Sequence, residues 1–199
     1  MPRSNKNSNG YSSRKVNIRE IKQRFLIVCE GAKTEPNYFK SFRVPKVIIE
    51  IQGLGENPKK LVQSANDLKS QDDYDQVWRV FDRDDWTKED FNNAISSAKK
   101  YGFEVAYSNE AFELWYVLHF EFLNTGIPRS DYIKKLTSLL SKKYQKNSNS
   151  IYEDLIEKQD TAIKNAKKLL EQYEPSQPEQ NNPSTTVHLL VEQLNRFAR

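Results

Sequence analysis

Phe25-Leu26-Ile27-Val28-Cys29-Glu30-Gly31 is the stretch that decides how this chain is read. Five consecutive apolar residues are far too few for a membrane span. They also do not alternate with polar ones, so they predict a strand buried on both faces, as in a parallel sheet. Glu30-Gly31 then turns the chain out of the sheet. The same rhythm recurs downstream: Val47 to Ile51, Gln76 to Phe81 and Phe103 to Tyr107 predict three more strands. Helices are predicted between them. Thr34 to Phe39 has Thr34 as cap and Pro36 in its first turn. Asn57 to Leu68 places Leu61, Val62, Ala65 and Leu68 on one face, and Thr87 to Tyr101 follows the third strand. Strands alternating with helices of this length predict an α/β fold, a mostly parallel sheet with helices on both faces.

Beyond an aromatic-rich helix around Phe112 to Phe120 the pattern becomes purely helical, from about residue 127 to 199. Ser130 caps a helix with Ile133, Leu136 and Leu140 inward. Ile151 to Tyr173 reads as one long or broken helix with Thr161 as a restart point. A Pro/Gln/Asn-rich loop from Glu174 to Pro183 leads to a last helix, capped near Ser184 or Thr185, with Val187, Leu190, Val191 and Leu194 on one face. Residues 23–199 are read as a single domain with this helical extension. Residues 1–22 are read as a disordered tail, with six basic residues against one acidic, a net +5 where the whole chain carries +4. Such a tail is either a solvated arm or a phosphate-binding one.

At 199 residues, 37% hydrophobic and 29% charged, the chain has no apolar run near the length of a membrane span and no secretory leader pattern. Its single cysteine, Cys29, excludes an intrachain disulfide and fits a reducing compartment. The expected location is cytoplasmic, with no membrane partner.

Polar clusters fall at the carboxyl ends of three predicted strands: Glu30, then Asp82-Arg83-Asp84-Asp85, then Ser108-Asn109-Glu110. Open α/β sheets bind ligands at that edge, where strand order reverses. In a flavodoxin-like order strands one and three are neighbours, which brings Glu30 to Asp82 and Asp84. Carboxylates gathered in one crevice repel one another unless a cation lies among them. Hard oxygen donors without a His/Cys cluster select Mg²⁺ or Mn²⁺ over zinc. The expected ligands are Glu30, Asp82 and Asp84, with Asp85 a spare ligand or helix cap. The plainer alternative is a set of turn carboxylates satisfied by backbone N–H groups. His119 reads as a core-edge residue and His188 as a surface one. Asn182, Ser184 and Thr185 either cap the last helix or present its N-terminus to a phosphate.

These residues carry a family resemblance. Glu30-Gly31 with Lys33-Thr34-Glu35-Pro36-Asn37-Tyr38-Phe39, then Phe81-Asp82-Arg83-Asp84, then Ser108-Asn109 running into Phe112-Glu113-Leu114-Trp115 and His119-Phe120, resemble the RloB-like family. Asn182-Pro183-Ser184-Thr185-Thr186-Val187 is similar to its C-terminal element. Ala32 departs from the family pattern, where an acidic residue is frequent, as does Glu110-Ala111, where a proline and a small residue are. The resemblance implies a Toprim-type fold, a bacterial phage-defence or restriction-associated setting and an ABC-type ATPase partner. It implies a Mg²⁺-dependent nuclease acting on RNA (such as tRNA) or DNA, and raises Glu113 and His119 as site candidates. In such a site Glu30 is ligand or general base, Asp82 and Asp84 are ligands, and Lys33, three residues after Glu30 in the same loop, contacts a non-bridging phosphate oxygen or is a solvated loop lysine. Two other classes stay open: a flavodoxin-like phosphoacceptor switch, and a non-catalytic Toprim-like module that docks on an ATPase. A Gly-x-x-x-x-Gly-Lys-[Ser/Thr] loop is absent from the sequence.

Overall fold

The computed structural model describes residues 23–44, 47–53, 58–84 and 86–197. The basic segment 1–22, with its expected phosphate-binding or solvated role, and Asp85 therefore lie outside the described residues. In chain order the elements are β1 (Gln23–Cys29), α1 (Thr34–Lys40), β2 (Val47–Gly53), α2 (Pro58–Lys69), β3 (Gln76–Asp82), α3 (Lys88–Lys100), β4 (Glu104–Asn109), α4 (Glu113–Val117), α5 (Arg129–Leu139), α6 (Ile151–Leu155), α7 (Gln159–Leu170), β5 (Ser184–Thr185) and α8 (Val187–Asn195). A 3-10 turn, Ile156–Lys158, separates α6 from α7.

The sheet order is β2-β1-β3-β4-β5. Its first four strands are parallel, with Cys29 opposite both Gly53 and Val80, and Asp82 opposite Ser108. The expected α/β class and the adjacency of strands one and three hold. Residues Phe25 to Cys29 are all fully buried, and alternation divides them between two cores. Phe25, Ile27 and Cys29 join Trp78 and Val80 beneath α1, α4 and the C-terminal helices. Leu26 and Val28 join Val77 and Phe81 beneath α2 and α3, where Ala65, Phe91, Ala94 and Ala98 meet them. Leu68 packs on the same core, while the side chains of Leu61 and Val62 lie outside the described residues. Helices thus cover both faces. Among the described residues no helix is long and apolar enough to cross a membrane.

Several local expectations are corrected. The region after Gly126 is not purely helical: Ser184–Thr185 adds a short antiparallel strand to β4, with the Thr185 hydroxyl donating to the Tyr107 carbonyl at 2.9 Å. Ser184 and Thr185 are fully buried, so neither offers a helix terminus to a phosphate. Thr34 is the first residue of α1 and not its cap, because its hydroxyl donates to Asn147 Oδ1 at 2.8 Å. Ser130 lies inside the first turn of α5, which opens at Arg129 after the extended Pro128. The aromatic helix is only five residues long, since i→i−3 bonds such as His119 N–H to Tyr116 O tighten the chain after it. The break in the 151–173 helix falls at 156–158, before Thr161.

His188 is 2% exposed and His119 1%, which corrects the surface placement of His188. His119 Nδ1 bonds the Trp115 carbonyl at 2.8 Å. Burial pushes both imidazoles down to about 4. Between pH 6.5 and about 4 the unfolded chain therefore binds protons that the folded chain refuses, and stability falls as pH falls through that window, by up to roughly 3 kcal/mol per histidine. Urea midpoints at pH 7 and pH 4.5 should drop less for His188→Gln than for the wild type. An equal drop would show that His188 titrates normally when folded.

Candidate metal and phosphate site

At the carboxyl edge of β1, β3 and β4 a cleft of about 320 Å³ is lined by Gly31 to Glu35, Asp82, Phe112, Glu113, Arg129, Lys146 and Asn147. Its acids come from three elements. Asp82 ends β3 on the α1/α4 side of the sheet, the side of Val80 and Trp78. Glu35 sits in the first turn of α1 and Glu113 in the first turn of α4. All three are nearly buried, at 6%, 5% and 3% exposure. Burial, then the charges of Glu35 and Glu113, hold the Asp82 carboxyl well above the usual carboxylate range, against the opposing pull of Arg129 and the Phe112 N–H. Glu35 is raised by burial and by Glu113, and lowered by Lys146 and Arg129.

Glu35 is the residue that sequence reasoning missed. It stands three and four residues before Tyr38 and Phe39, so an acid shares the buried face of α1 with two core aromatics, and that was the available signal. Gly31 makes room for it: a Cβ there would lie 2.7 Å from Glu35 Cδ. Gly53, at the end of β2, is similarly pressed, its would-be Cβ 2.9 Å from the Ala32 carbonyl. The Glu-Gly step thus serves packing of the acid as well as the turn.

Glu30 and Asp82 do not point into the same crevice. Glu30 leaves on the α2/α3 side, where its Oε1 accepts from the Trp86 indole N–H at 3.2 Å and its Oε2 from the Asp82 backbone N–H at 3.3 Å. Trp86 is itself stacked on Phe81. Burial raises the Glu30 carboxyl to about 7, the two donors opposing it. Asp84, in the left-handed region at φ 39°, sits at the rim and pairs with Arg129, which also reaches Asp82 Oδ2 at 3.8 Å. Arg129 and Lys146 were also missed, because only the tertiary fold brings the helical extension to the sheet edge. Glu113 Oε1 accepts from the Tyr144 hydroxyl at 3.2 Å, and Lys33 lines the cleft. His119 is packed edge-on against Trp115 within the core and is no part of the cleft.

Among the described residues, no three Asp, Glu, His or Cys side chains are grouped as a ready metal site. The donor chemistry nevertheless fits a hard divalent ion: the acids are all oxygen donors, and Asp82 Oδ1 is buried without a partner. In this structure the guanidinium of Arg129 provides the positive charge.

A family model described as RloB-like protein matches residues 25–194. The chain belongs to the RloB-like family. No curated protein and no solved structure matches the chain at a significant level. In this RloB-like chain the matched span runs from within β1 into α8, so it contains every residue of the cleft.

Raised carboxyls hold protons that the unfolded chain has already released, so their contribution to stability is present at low pH and lost as pH rises above the ordinary carboxylate range. Glu35→Gln removes one of the repelling charges. Its urea midpoint should match the wild type near pH 5 and exceed it at pH 8 by about 1 kcal/mol equivalent. A variant less stable at pH 8 than at pH 5 relative to wild type would show that Glu35 is stabilised by its surroundings as an anion.

Proposed function

We propose that this chain is a Toprim-type nuclease, dependent on Mg²⁺ or Mn²⁺, that hydrolyses phosphodiester bonds in nucleic acid. In this reading it is the effector of an anti-phage or restriction-associated system, acting on RNA such as tRNA or on DNA beside an ABC-type ATPase. The observation that carries the reading is Asp82: a buried carboxylate with an unpartnered oxygen, flanked by two further buried acids, at the sheet edge where α/β folds bind ligands. Membership of the RloB-like family supports it.

A bound divalent ion supplies a water of lowered pKa and a polarised phosphate. Asp82, with Glu35 and Glu113 beside it and Asp84 at the rim, would hold such an ion. Glu30, held by Trp86 and by the Asp82 N–H on the other face of the sheet, would position Asp82, and Glu35, beside Asp82 in the cleft, would take the proton from the attacking water. Lys33 faces the non-bridging phosphate oxygens. The water oxygen bonds to phosphorus, the bond to the leaving sugar oxygen breaks, and that oxygen leaves with a proton.

One observation favours a second reading. Arg129 already pairs with Asp82 and Asp84, as it would in a non-catalytic Toprim-like module that docks on an ATPase.

Purified chain incubated with plasmid and total RNA in Mg²⁺ or Mn²⁺ distinguishes the two. Asp82→Asn should abolish cleavage, and Glu35→Gln should slow it by at least about a hundredfold, the usual size of a general-base contribution. Asp84→Asn should also be impaired. Cleavage that survives Asp82→Asn at the wild-type rate would remove the nuclease assignment from this cleft, and a loss below about tenfold in Glu35→Gln would remove Glu35 as the base.

A further inference from the structure

Above its acid floor the cleft has a cationic rim of Lys33, Arg129 and Lys146. Arg129 is engaged by the aspartates. Lys146 is exposed and forms no ion pair among the described residues, unlike Lys135 and Lys142 nearby in sequence. The segment that carries it, residues 141–150 between α5 and α6, is tied to the site on both sides of Lys146. On one side the Tyr144 hydroxyl donates to Glu113 and its backbone N–H donates to Thr137 Oγ1 at 3.1 Å. On the other, Asn147 adopts a left-handed φ of 69°, takes a hydrogen bond from the Thr34 hydroxyl, and accepts at its carbonyl from Asn37 Nδ2 at 2.9 Å. An ordinary solvated lysine needs no such anchoring. Lys143, also exposed, extends the positive charge along the same loop.

The depth of the acids restricts what can reach them. Asp82, Glu35 and Glu113 are each at most 6% exposed, at the bottom of a cleft of about 320 Å³. Duplex phosphates lie on the outside of a stiff, convex cylinder and cannot be drawn one at a time into a recess. An unpaired strand can rotate a single phosphate inward while its neighbours track a basic groove.

We propose that the cleft accepts an unpaired stretch of nucleic acid, whose backbone is seated by Lys146 on the anchored α5–α6 loop together with Lys33. This rests on the nuclease reading and narrows its substrate. Lys146 binds phosphate as a point charge, and the hydrogen bonds of Tyr144 and Asn147 hold it in register with the acids, so that a phosphate gripped at the rim stands over Asp82.

The test is equilibrium binding of the full chain, without divalent ions, to short labelled RNA and DNA oligonucleotides, each single-stranded and annealed to its complement, across a salt series. Single strands should bind at least about tenfold more tightly than the matching duplex. Lys146→Gln should weaken single-strand binding by about tenfold and reduce the slope of log affinity against log salt by roughly one contact, about 0.7. Lys164→Gln, which removes the same charge from an exposed position on α7, should change neither by as much. Duplex bound as tightly as single strand would overturn the proposal. So would a Lys146→Gln protein indistinguishable from Lys164→Gln. In both cases wild-type binding leaves the nuclease reading standing. Wild type that binds neither form would overturn both readings.

Discussion

Because β1 is paired along both edges and covered on both faces, its position leaves little freedom to anything around it. Parallel pairing in register with β3 carries the loops after both strands to one edge, and the β3–β4 register carries Ser108 to the same level. The chain between β1 and β3 must cross the sheet twice, and those crossings supply α1 on one face and α2 on the other. Everything in the cleft follows from this. Asp82 reaches it as the last residue of β3, and Glu35 because α1 begins immediately beyond the turn at Gly31.

Acids and bases in the cleft come from different parts of the chain. The three buried carboxylates belong to the sheet half and the helices directly attached to it. The opposing cations, Arg129 and Lys146, belong to the helical extension. Burying three carboxylates together is unfavourable unless positive charge or hydrogen bonds offset it. Arg129 at the start of α5 and the Tyr144 hydroxyl provide part of that offset. The extension is therefore a structural half of the site as well as a cover for the α1/α4 face of the sheet.

The strands were legible in the sequence because a parallel sheet buried on both faces demands apolar runs: Phe25 to Cys29 is uninterrupted, and Val77 to Phe81 is broken only by Arg79, which is buried and donates to the Ala94 carbonyl. Asp82, Asp84 and Lys33 were legible by position, at and just after strand ends, and Glu113 only through the family resemblance. The geometry of Glu30 was not, since strand parity at the turn decides which face it takes, and Trp86 and the Asp82 N–H settle it on the α2/α3 side. Glu35 was hidden because one acid on a short helix reads as a first-turn charge. Ser184–Thr185 is too short to show alternation, and its hydroxyls, which read as caps, bond instead across β4. His188 looked like a surface residue because a lone histidine on an amphipathic helix carries no mark of which face it takes. Arg129 comes to the cleft by pairing with Asp82 and Asp84, and Lys146 through its neighbour Asn147, which bonds Thr34 and Asn37 more than a hundred residues away, and no local pattern encodes either.

Cys29 closes β1, fully buried, with burial pushing its thiol well above the ordinary range. A thiol held in that state is inert to alkylating reagents, which require the exposed thiolate. It reacts only when the strand is released from both neighbours. Since β1 is the element on which the cleft is built, the rate at which its sulfur is trapped measures how often the centre of the molecule opens, and in a chain with one cysteine that clock needs no engineering.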